Sequence, residues 1–182
     1  RLLLDLVRPD VAVFSLHTAY YSAADVIGLR LAAAIGLTEV APLVPHASDL
    51  AAAGLGAGRH GTLAAPLTVA ALADRLRDFL RTDSVGYVGP ADRRLSRVAV
   101  ACGSAGEFLP TAIEAGCDAF VTGEARFHDC LEADATGIAL LLPGHYATER
   151  FAMEILAERL GAAFPAAEVW PSRDERDPLK RR

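Results

Sequence analysis

The stretch Gly137–Phe151, GIALLLPGHYATERF, contains a strand, a turn and the start of a helix. The apolar run Ile138–Leu142 has the length of a buried strand, and the amphipathic run Ala147–Leu160 predicts a helix. His145 and Glu149 stand four residues apart, so on a helix their side chains share one face. An imidazole and a carboxylate placed in this way can bind a divalent metal. For this pair alone, a solvent-facing histidine and a carboxylate near a helix N-terminus are the simpler explanation.

The same strand–turn–helix pattern occurs twice just upstream. The segments are strand Val98–Cys102, turn Gly103–Gly106 and helix Glu107–Ala115, then strand Ala119–Val121, turn Thr122–Glu124 and helix Ala125–Ala135. Strands that alternate with helices predict an α/β fold. We expect a mainly parallel or mixed sheet with helices packed on it, in α/β/α layers.

The first half of the chain is less regular. Val11–Phe14 predicts a short strand, and a helix is expected from about Ala24 to Ile35, ending at Gly36. Glycines and prolines mark Thr38–Leu67 as a connection that includes an irregular strand or two. The last predicted elements of this half are a helix capped by Thr68 that runs from Val69 to Leu80, and a short strand at Ser84–Val88.

Composition limits the possible classes of function. The chain of 182 residues is 52% hydrophobic, enough for the core of one ordinary domain or two small ones. Its net charge is −5 without a basic stripe, so nucleic-acid binding is not expected. The three cysteines lack metal-type spacing and are expected to be buried free thiols in a reducing, cytoplasmic compartment. No apolar run approaches the roughly 20 residues of a membrane span, so neither a membrane segment nor a signal peptide is expected.

Both ends of the sequence predict something about the extent of the folded domain. The chain begins with Arg1 and enters the run Val11–Phe14 with little lead-in, so we expect the C-terminal part of a longer protein. Residues 1–165 are expected to form one domain whose N-terminal part is missing. The charged, proline-containing tail predicts disorder over residues 166–182.

Polar side chains follow several of the predicted strands at the points where the strands end. His17, Glu124 and His145 all stand at such points. Because the loops after parallel strands open on one edge of a sheet, we expect these side chains to share a cleft with Tyr21 and Glu149. Histidines and carboxylates at one edge suit a metal site or acid–base catalysis. We therefore take His145 and Glu149 as candidate metal ligands, and His17 and Glu124 as candidate catalytic residues.

Several other polar residues have simple structural explanations. A glycine-rich turn such as Gly103–Gly106 more often serves tight strand-to-helix packing than phosphate binding. Cys102 has no evident adjacent base, so a small buried thiol is expected rather than a nucleophile. His60 is expected in an ordinary loop, and His128 with Asp129 on a solvated helix face.

Six short motifs, taken in order, are similar to those of the Nif-three-like dinuclear metal-binding proteins, also called GTP cyclohydrolase I type 2 homologues. They are FSLHT (14–18), GRHGTL (58–63), VAVACGSAG (98–106), DAFVTGE (118–124), HD (128–129) and GHYATE (144–149). Each motif is weak alone, whereas six in this order and spacing are specific. The resemblance runs from Arg1 to about residue 165.

The resemblance implies a two-lobed protein of two related α/β halves, assembled into a toroidal homohexamer. It also implies a site for two divalent ions per subunit (zinc, manganese or iron), formed by paired histidines, an aspartate and a late His-x-x-x-Glu. His145 and Glu149 match the late pair, and the paired histidines would lie upstream of Arg1. Tyr21 occupies the aspartate's position, and a tyrosine neither bridges nor chelates as a carboxylate does. Asp25 is a candidate substitute for this ligand.

Two functions are compatible with these features. The first is a metal-dependent hydrolase, in which water activated by the metal attacks a small nucleotide-like substrate. The second is a non-catalytic metal-binding scaffold or regulatory ring protein, which the loss of the aspartate favours. An inactive, degenerate paralogue is a third possibility. The sequence leaves the metal and the substrate open.

Overall fold

The sheet is built around the strand–turn–helix units of the sequence. The structure is a computed structural model that describes residues 2–7, 11–23, 27–47 and 54–180. Its helices are α1 (Leu2–Val7), α2 (His17–Ser22), α3 (Ile27–Ala34), α4 (Val69–Leu80), α5 (Leu109–Glu114), α6 (Phe127–Thr136) and α7 (His145–Ala163). Its strands are β1 (Leu37–Ala41), β2 (Val44–Pro45), β3 (Gly56–Ala57), β4 (Arg59–Thr68), β5 (Gly86–Val88), β6 (Arg94–Ser104), β7 (Ala119–Glu124) and β8 (Ala139–Leu142). A single 3₁₀ turn, Gly106–Phe108, precedes α5.

Six strands form one mixed sheet in the order β1-β4-β6-β7-β8-β5. The neighbours β6, β7 and β8 are parallel, whereas β1, β4 and β5 join the sheet through antiparallel pairs. β2 and β3 form a separate two-stranded ladder. The predicted α/β fold with a mainly parallel or mixed sheet is confirmed. The parallel strands bring their carboxyl ends to one edge of the sheet.

Helices cover both faces of the sheet. Val98 and Val100 of β6 belong to a core shared with α3 and α4, whereas Ala99 and Ala101 belong to a core shared with α5 and α6. This alternation follows from the two-residue period of a strand. Parallel strands that are buried on both faces have nearly continuous apolar sequences, which is why β6, β7 and β8 could be predicted.

The helix α4 begins where its sequence predicts. The hydroxyl of Thr68 accepts a hydrogen bond from the Ala71 amide at 3.1 Å, and Leu72 on the inner face is fully buried. The turn after α3 contains Gly36 with a φ of +81°, which suits the end of a helix. The predicted start of α3 at Ala24 lies outside the described residues.

The predicted strand Val11–Phe14 is wrong. These residues form neither a helix nor a strand, and the side chains of Val13 and Phe14 are 72% and 86% exposed. A strand needs a neighbour for its backbone hydrogen bonds, and no strand among the described residues pairs with this segment. Local apolarity alone misled the prediction.

The interpretation of Thr38–Leu67 as mainly a connection is also wrong. This region contributes most of β1 and β4 and the whole of β2 and β3. The glycines that suggested chain breaks allow close approach of strands instead. A Cβ on Gly61 would lie 2.5 Å from the carbonyl oxygen of Thr38 in the neighbouring β1.

The C-terminal residues 164–180 form no helix or strand, and part of this segment contacts α7. Nη2 of Arg150 donates to the carbonyl oxygen of Ser172 at 2.7 Å. Disorder over residues 166–182 stays a prediction, and residues 181–182 lie outside the described part of the chain.

Composition led to expectations about the pairing of the cysteines and about the apolarity of the helices. Cys102, Cys117 and Cys130 form no disulfide; Cys117 is buried and the other two are half-buried. The predicted free thiols are confirmed, whereas the predicted burial is confirmed only at Cys117. Among the described helices, none combines the length and the apolarity that crossing a bilayer requires.

Candidate functional site

Parallel strands bring the predicted polar residues to one edge of the sheet. β6 ends at Ser104 and β7 at Glu124, and these two residues are paired in register. β8 is followed by Gly144 and then by His145, which begins α7. The amide of Gly144 donates to the carbonyl oxygen of Gly123 at 3.0 Å, which ties the start of α7 to the end of β7. The edge therefore brings Glu124 and His145 together.

The His145 ring contacts a carboxylate at each of its nitrogens. Nδ1 lies 2.8 Å from Oε1 of Glu124, and Nε2 lies 3.1 Å from Oε1 of Glu149. The Glu124 side chain is 57% exposed and the Glu149 side chain 31%, so the site opens to solvent on the Glu124 side. The hydrogen bond with Glu124 raises the pKa of His145; burial opposes this increase, and the charge of Glu149 adds to it. The imidazole is thereby favoured as a cation between two carboxylates.

The helix α2 brings two aromatic side chains to the same site. The Tyr21 phenol lies near the Glu149 carboxylate, and the His17 ring meets the Tyr21 ring edge-on, with 5.8 Å between centroids. Burial raises the pKa of Tyr21, and the neighbouring Glu149 carboxylate raises it further. The phenol therefore keeps its proton near neutral pH. Glu149, His145 and Glu124 form one continuous chain of contacts, and Tyr21 and His17 lie beside it.

A small apolar cluster holds α2 against α7. Ile27 and Ala152 are its buried members, and Tyr20 and Cys102 pack against them. The Tyr20 hydroxyl donates to the carbonyl oxygen of Ala152 at 3.0 Å. Burial raises the pKa of the Cys102 thiol, and the nearby charge of Glu149 acts in the same direction. The thiol therefore stays protonated near neutral pH, which suits a packing role rather than a nucleophilic one.

Two glycines make room for the site. A Cβ on Gly103 would lie 2.4 Å from Oε1 of Glu149 and 3.4 Å from Nε2 of His145. A Cβ on Gly123 would lie 2.8 Å from the Cα of His145. The predicted turn at Thr122–Glu124 is wrong, because all three of its residues belong to β7, which ends at Glu124. Glycine in that strand lets the backbone run close beneath the start of α7.

Two buried threonines hold the backbone around the site, and sequence reasoning missed the role of Thr148. Its Oγ1 accepts a hydrogen bond from the Gly103 amide at 3.0 Å and donates to the His145 carbonyl oxygen at 2.9 Å. Oγ1 of Thr122 donates to the Gly103 carbonyl oxygen at 3.1 Å and accepts from the Ala105 amide at 3.2 Å. The three-residue spacing from His145 to Thr148 on one helix could have indicated this role of Thr148.

Other polar residues from the sequence lie outside this chain of contacts. His60 lies in β4 rather than in the predicted loop, and its Nδ1 is 2.9 Å from Nη2 of Arg97. Asp129 forms a capping box at the start of α6, while the neighbouring His128 is exposed. Asp25, considered as a substitute ligand, lies outside the described residues.

The metal-binding capacity of the site comes from a small number of donors. Among the described residues, no group of three or more His, Cys, Asp or Glu side chains is arranged to hold a metal ion. Glu124 and Glu149 contact opposite nitrogens of His145, so both carboxylates and the imidazole cannot share one ion. The donors that face each other are Nε2 of His145 and the Glu149 carboxylate. The phenol oxygen of Tyr21 lies beside them.

Fold and site together define a mixed α/β protein with imidazole and carboxylate side chains at the carboxyl edge of three parallel strands. Over residues 1–178 the sequence matches the family model Duf34/NIF3 (NGG1p interacting factor 3). The chain therefore belongs to the Nif-three-like family, as the resemblance of its six motifs predicted.

Similar proteins agree with this assignment. The "GTP cyclohydrolase 1 type 2 homolog" of Nostoc sp. (strain PCC 7120) is 35% identical over 153 residues, which cover 83% of this chain and 56% of the relative. The "Protein NIF3 homolog" of Schizosaccharomyces pombe is 31% identical over 189 residues, covering 98% and 67%. The chain thus spans about half to two-thirds of these relatives. The crystal structure of Staphylococcus aureus protein SA1388 matches 98% of this chain and 72% of its own, with a TM-score of 0.86 and 21% identity, which supports the fold alone.

Proposed function

We propose that this protein binds a divalent metal ion through Nε2 of His145 and the carboxylate of Glu149. The observation that carries the proposal is the 2.8 Å contact between Nδ1 of His145 and Glu124. A histidine that binds a metal through one nitrogen almost always donates its other N–H to a carboxylate, carbonyl or water, which fixes the tautomer and the ring orientation. Glu124 is placed for this role, so we propose it as a positioning residue.

The surroundings of the two donors suit an ion. Because Gly103 has no side chain, the space beside Glu149 and Nε2 of His145, where a Cβ would lie 2.4 and 3.4 Å away, stays open. Imidazole nitrogen and carboxylate oxygen are ligands for zinc, manganese and iron. A divalent ion bound there supplies Lewis acidity to a substrate oxygen or to water.

Two side chains do not make a complete site. Structural and catalytic zinc sites have three or four protein ligands, so His145 and Glu149 alone would hold an ion weakly. The family resemblance implies a pair of histidines as further ligands, and we include them in the proposal for the whole protein. His145 and Glu149 are proposed on geometry as well as resemblance, whereas the paired histidines rest on resemblance.

A finer proposal is metal-dependent hydrolysis of a small nucleotide-like substrate. Its support is the name "GTP cyclohydrolase 1 type 2 homolog" of the Nostoc relative. His17 and Glu124 are then the candidates for proton transfer. A non-catalytic metal-binding scaffold is the second candidate. Two observations favour it: Tyr21 stands where the resemblance places an aspartate, and the Glu124 carboxylate is already hydrogen-bonded to His145.

Titration calorimetry of the metal-stripped protein with zinc, manganese and iron(II) tests the metal proposal. His145→Ala and Glu149→Ala should abolish binding, whereas His128→Ala, which changes an exposed histidine outside the site, should leave it unchanged. Equal affinity in all four proteins would place the ion elsewhere and overturn the proposal. Incubation of the metal-loaded protein with GTP, followed by chromatography of the nucleotide, separates the hydrolase from the scaffold.

The assembly is proposed on resemblance alone. We propose a ring-shaped homohexamer, whose mass light scattering measures directly. A cytoplasmic location stays a prediction from the unpaired cysteines.

A further inference from the structure

A cavity of about 870 Å³ lies between α3, α4, α7 and the C-terminal segment 172–180. Apolar side chains of the helices form part of its wall, where the rings of Phe79 and Phe151 meet edge-on with 5.3 Å between centroids. The C-terminal segment completes the wall with Arg176, Asp177, Leu179 and Lys180. Small-molecule sites have volumes of roughly 300–1,000 Å³, so this cavity is large enough for a ligand, and the segment that borders it can control access.

One arginine of α7 tethers the C-terminal segment. Nη2 of Arg150 donates to the Ser172 carbonyl oxygen at 2.7 Å, and Nε of the same side chain is ion-paired with the Glu175 carboxylate. The Tyr146 hydroxyl, one helical turn earlier, donates to the carbonyl oxygen of Glu175 at 3.4 Å. These contacts fasten residues 172–175 to the first two turns of α7.

Little apolar packing holds the segment in place. Residues 172–176 and 178–180 are exposed, and Leu179 is 61% exposed although it lines the cavity. Solvent reaches the ion pair of Arg150 with Glu175, and such a pair contributes little to stability and is screened by salt. Nη1 of Arg150 is buried without a hydrogen bond to the described residues, which adds a cost to this arrangement. A segment held in this way opens more easily than a packed helix.

We propose that residues 172–180 form a lid over this cavity and that Arg150 is the latch that holds the lid shut. Residues 164–171, which form no helix or strand, connect the lid to the end of α7. The closed lid completes the cavity wall, and the open lid leaves a cleft beside α4 and α7 that a small molecule can enter from solvent. The inference is independent of the proposed metal binding, because neither the latch nor the lid supplies a proposed ligand.

Trypsin measures how often the lid opens, because Arg173 and Arg176 lie within it. When opening is fast relative to cleavage, the cleavage rate follows the population of the open state. Each rate is divided by that of a synthetic peptide of residues 168–180 with the same sequence, which removes direct effects of salt and substitution on the protease. Arg150→Met should raise this relative rate about fivefold or more, and Glu175→Ala, which removes the ion pair alone, about twofold or more.

A control and a salt series separate a latch from a general loss of stability. Arg77→Met is the matched control, because Arg77 forms its exposed ion pairs with Asp74 and Asp78 inside α4. It should leave the relative cleavage rate unchanged. Added salt should speed the cleavage of the unaltered protein and have less effect on Arg150→Met, which has already lost the ion pair.

A thiol introduced into the cavity wall tests whether the lid closes the cavity. Ala34 lines the cavity, so Ala34→Cys is labelled with a maleimide and followed by peptide mass spectrometry, which distinguishes position 34 from the native cysteines. Adding Arg150→Met should speed this labelling about fivefold or more, in parallel with the cleavage. The same addition should not change the labelling of Glu132→Cys, which places a thiol on the exposed face of α6.

Each result decides a different point. Equal relative cleavage of the unaltered protein, Arg150→Met and Glu175→Ala would overturn the latch. Faster cleavage with unchanged labelling at position 34 would mean that the tethered segment does not close the cavity, which would overturn the lid. Faster cleavage together with faster labelling supports both. If Arg150→Met does not fold, Glu175→Ala replaces it in each measurement, because this substitution lies outside the helices and strands.

Discussion

Replacing Thr148 with valine should destabilise the protein although the two side chains have nearly the same shape. Thr148 is fully buried, and its hydroxyl accepts a hydrogen bond from the Gly103 amide at 3.0 Å. Its single O–H donates to the carbonyl oxygen of His145 at 2.9 Å, and the carbonyl oxygen of Gly144 is an alternative acceptor at 3.2 Å. The substitution leaves no cavity of note, so its effect isolates these hydrogen bonds.

The expected loss in the free energy of unfolding is about 1–3 kcal/mol, which is the cost of leaving a buried donor without its partner. Gly103 is buried, so water does not easily replace the lost hydroxyl. The Gly144 carbonyl contributes less to this loss of stability, because it keeps its helical hydrogen bond from the Thr148 amide at 3.1 Å. The Gly103 amide therefore dominates the effect, and a loss of about 1–3 kcal/mol corresponds to a change of roughly 5- to 150-fold in the folding equilibrium.

Urea unfolding monitored by circular dichroism measures this loss as a lower midpoint at an unchanged slope. Thr136→Val is the matched control, because Thr136 also lies on a helix and its exposed hydroxyl donates to the Glu132 carbonyl oxygen at 2.7 Å. Water can replace that hydroxyl, so the control should change stability by no more than about 0.5 kcal/mol. An unaltered midpoint for Thr148→Val, or equal losses in both variants, would refute the reasoning.

Three other substitutions test the site and one helix start. Glu124→Gln should weaken metal binding about 10-fold or more in titration calorimetry, because the amide orients the histidine less firmly, whereas exposed Glu132→Gln should not. Tyr21→Asp should tighten binding by roughly 10-fold or more through its added carboxylate, and equal affinity would contradict this. Asp129→Asn should cost about 1 kcal/mol because the neutral amide weakens the charge-assisted hydrogen bonds with Arg126 at the start of α6, measured by urea unfolding at neutral pH. The hydrogen bond with Arg126 lowers the pKa of Asp129, so this contribution is present above the unfolded-state pKa of about 3.9 and is lost as pH falls through the lower folded-state pKa. A stability difference that persists below both values would contradict that linkage.

The accuracy of the predicted fold depended on how much of each element is determined locally. β6, β7 and β8 could be predicted because burial on both faces leaves continuous apolar runs between turns. β4 could not, because Gly61 and Pro66 suggest breaks and the strand depends on pairing with β6, as in Arg59 opposite Val100. Val11–Phe14 failed for the opposite reason, since it is apolar but lacks a pairing strand among the described residues. Both errors arise because a strand needs a partner that its own sequence does not contain.

The same division between local and distant information applies to the site. The spacing of His145 and Glu149 placed them on one face of a helix, and the shared edge of parallel strands placed Glu124 nearby. The proximity of Tyr21 to Glu149 could not be predicted from spacing, because it depends on the docking of α2 onto α7 across more than a hundred residues of sequence. A tyrosine at an aspartate's position predicts a missing ligand and hence weaker binding.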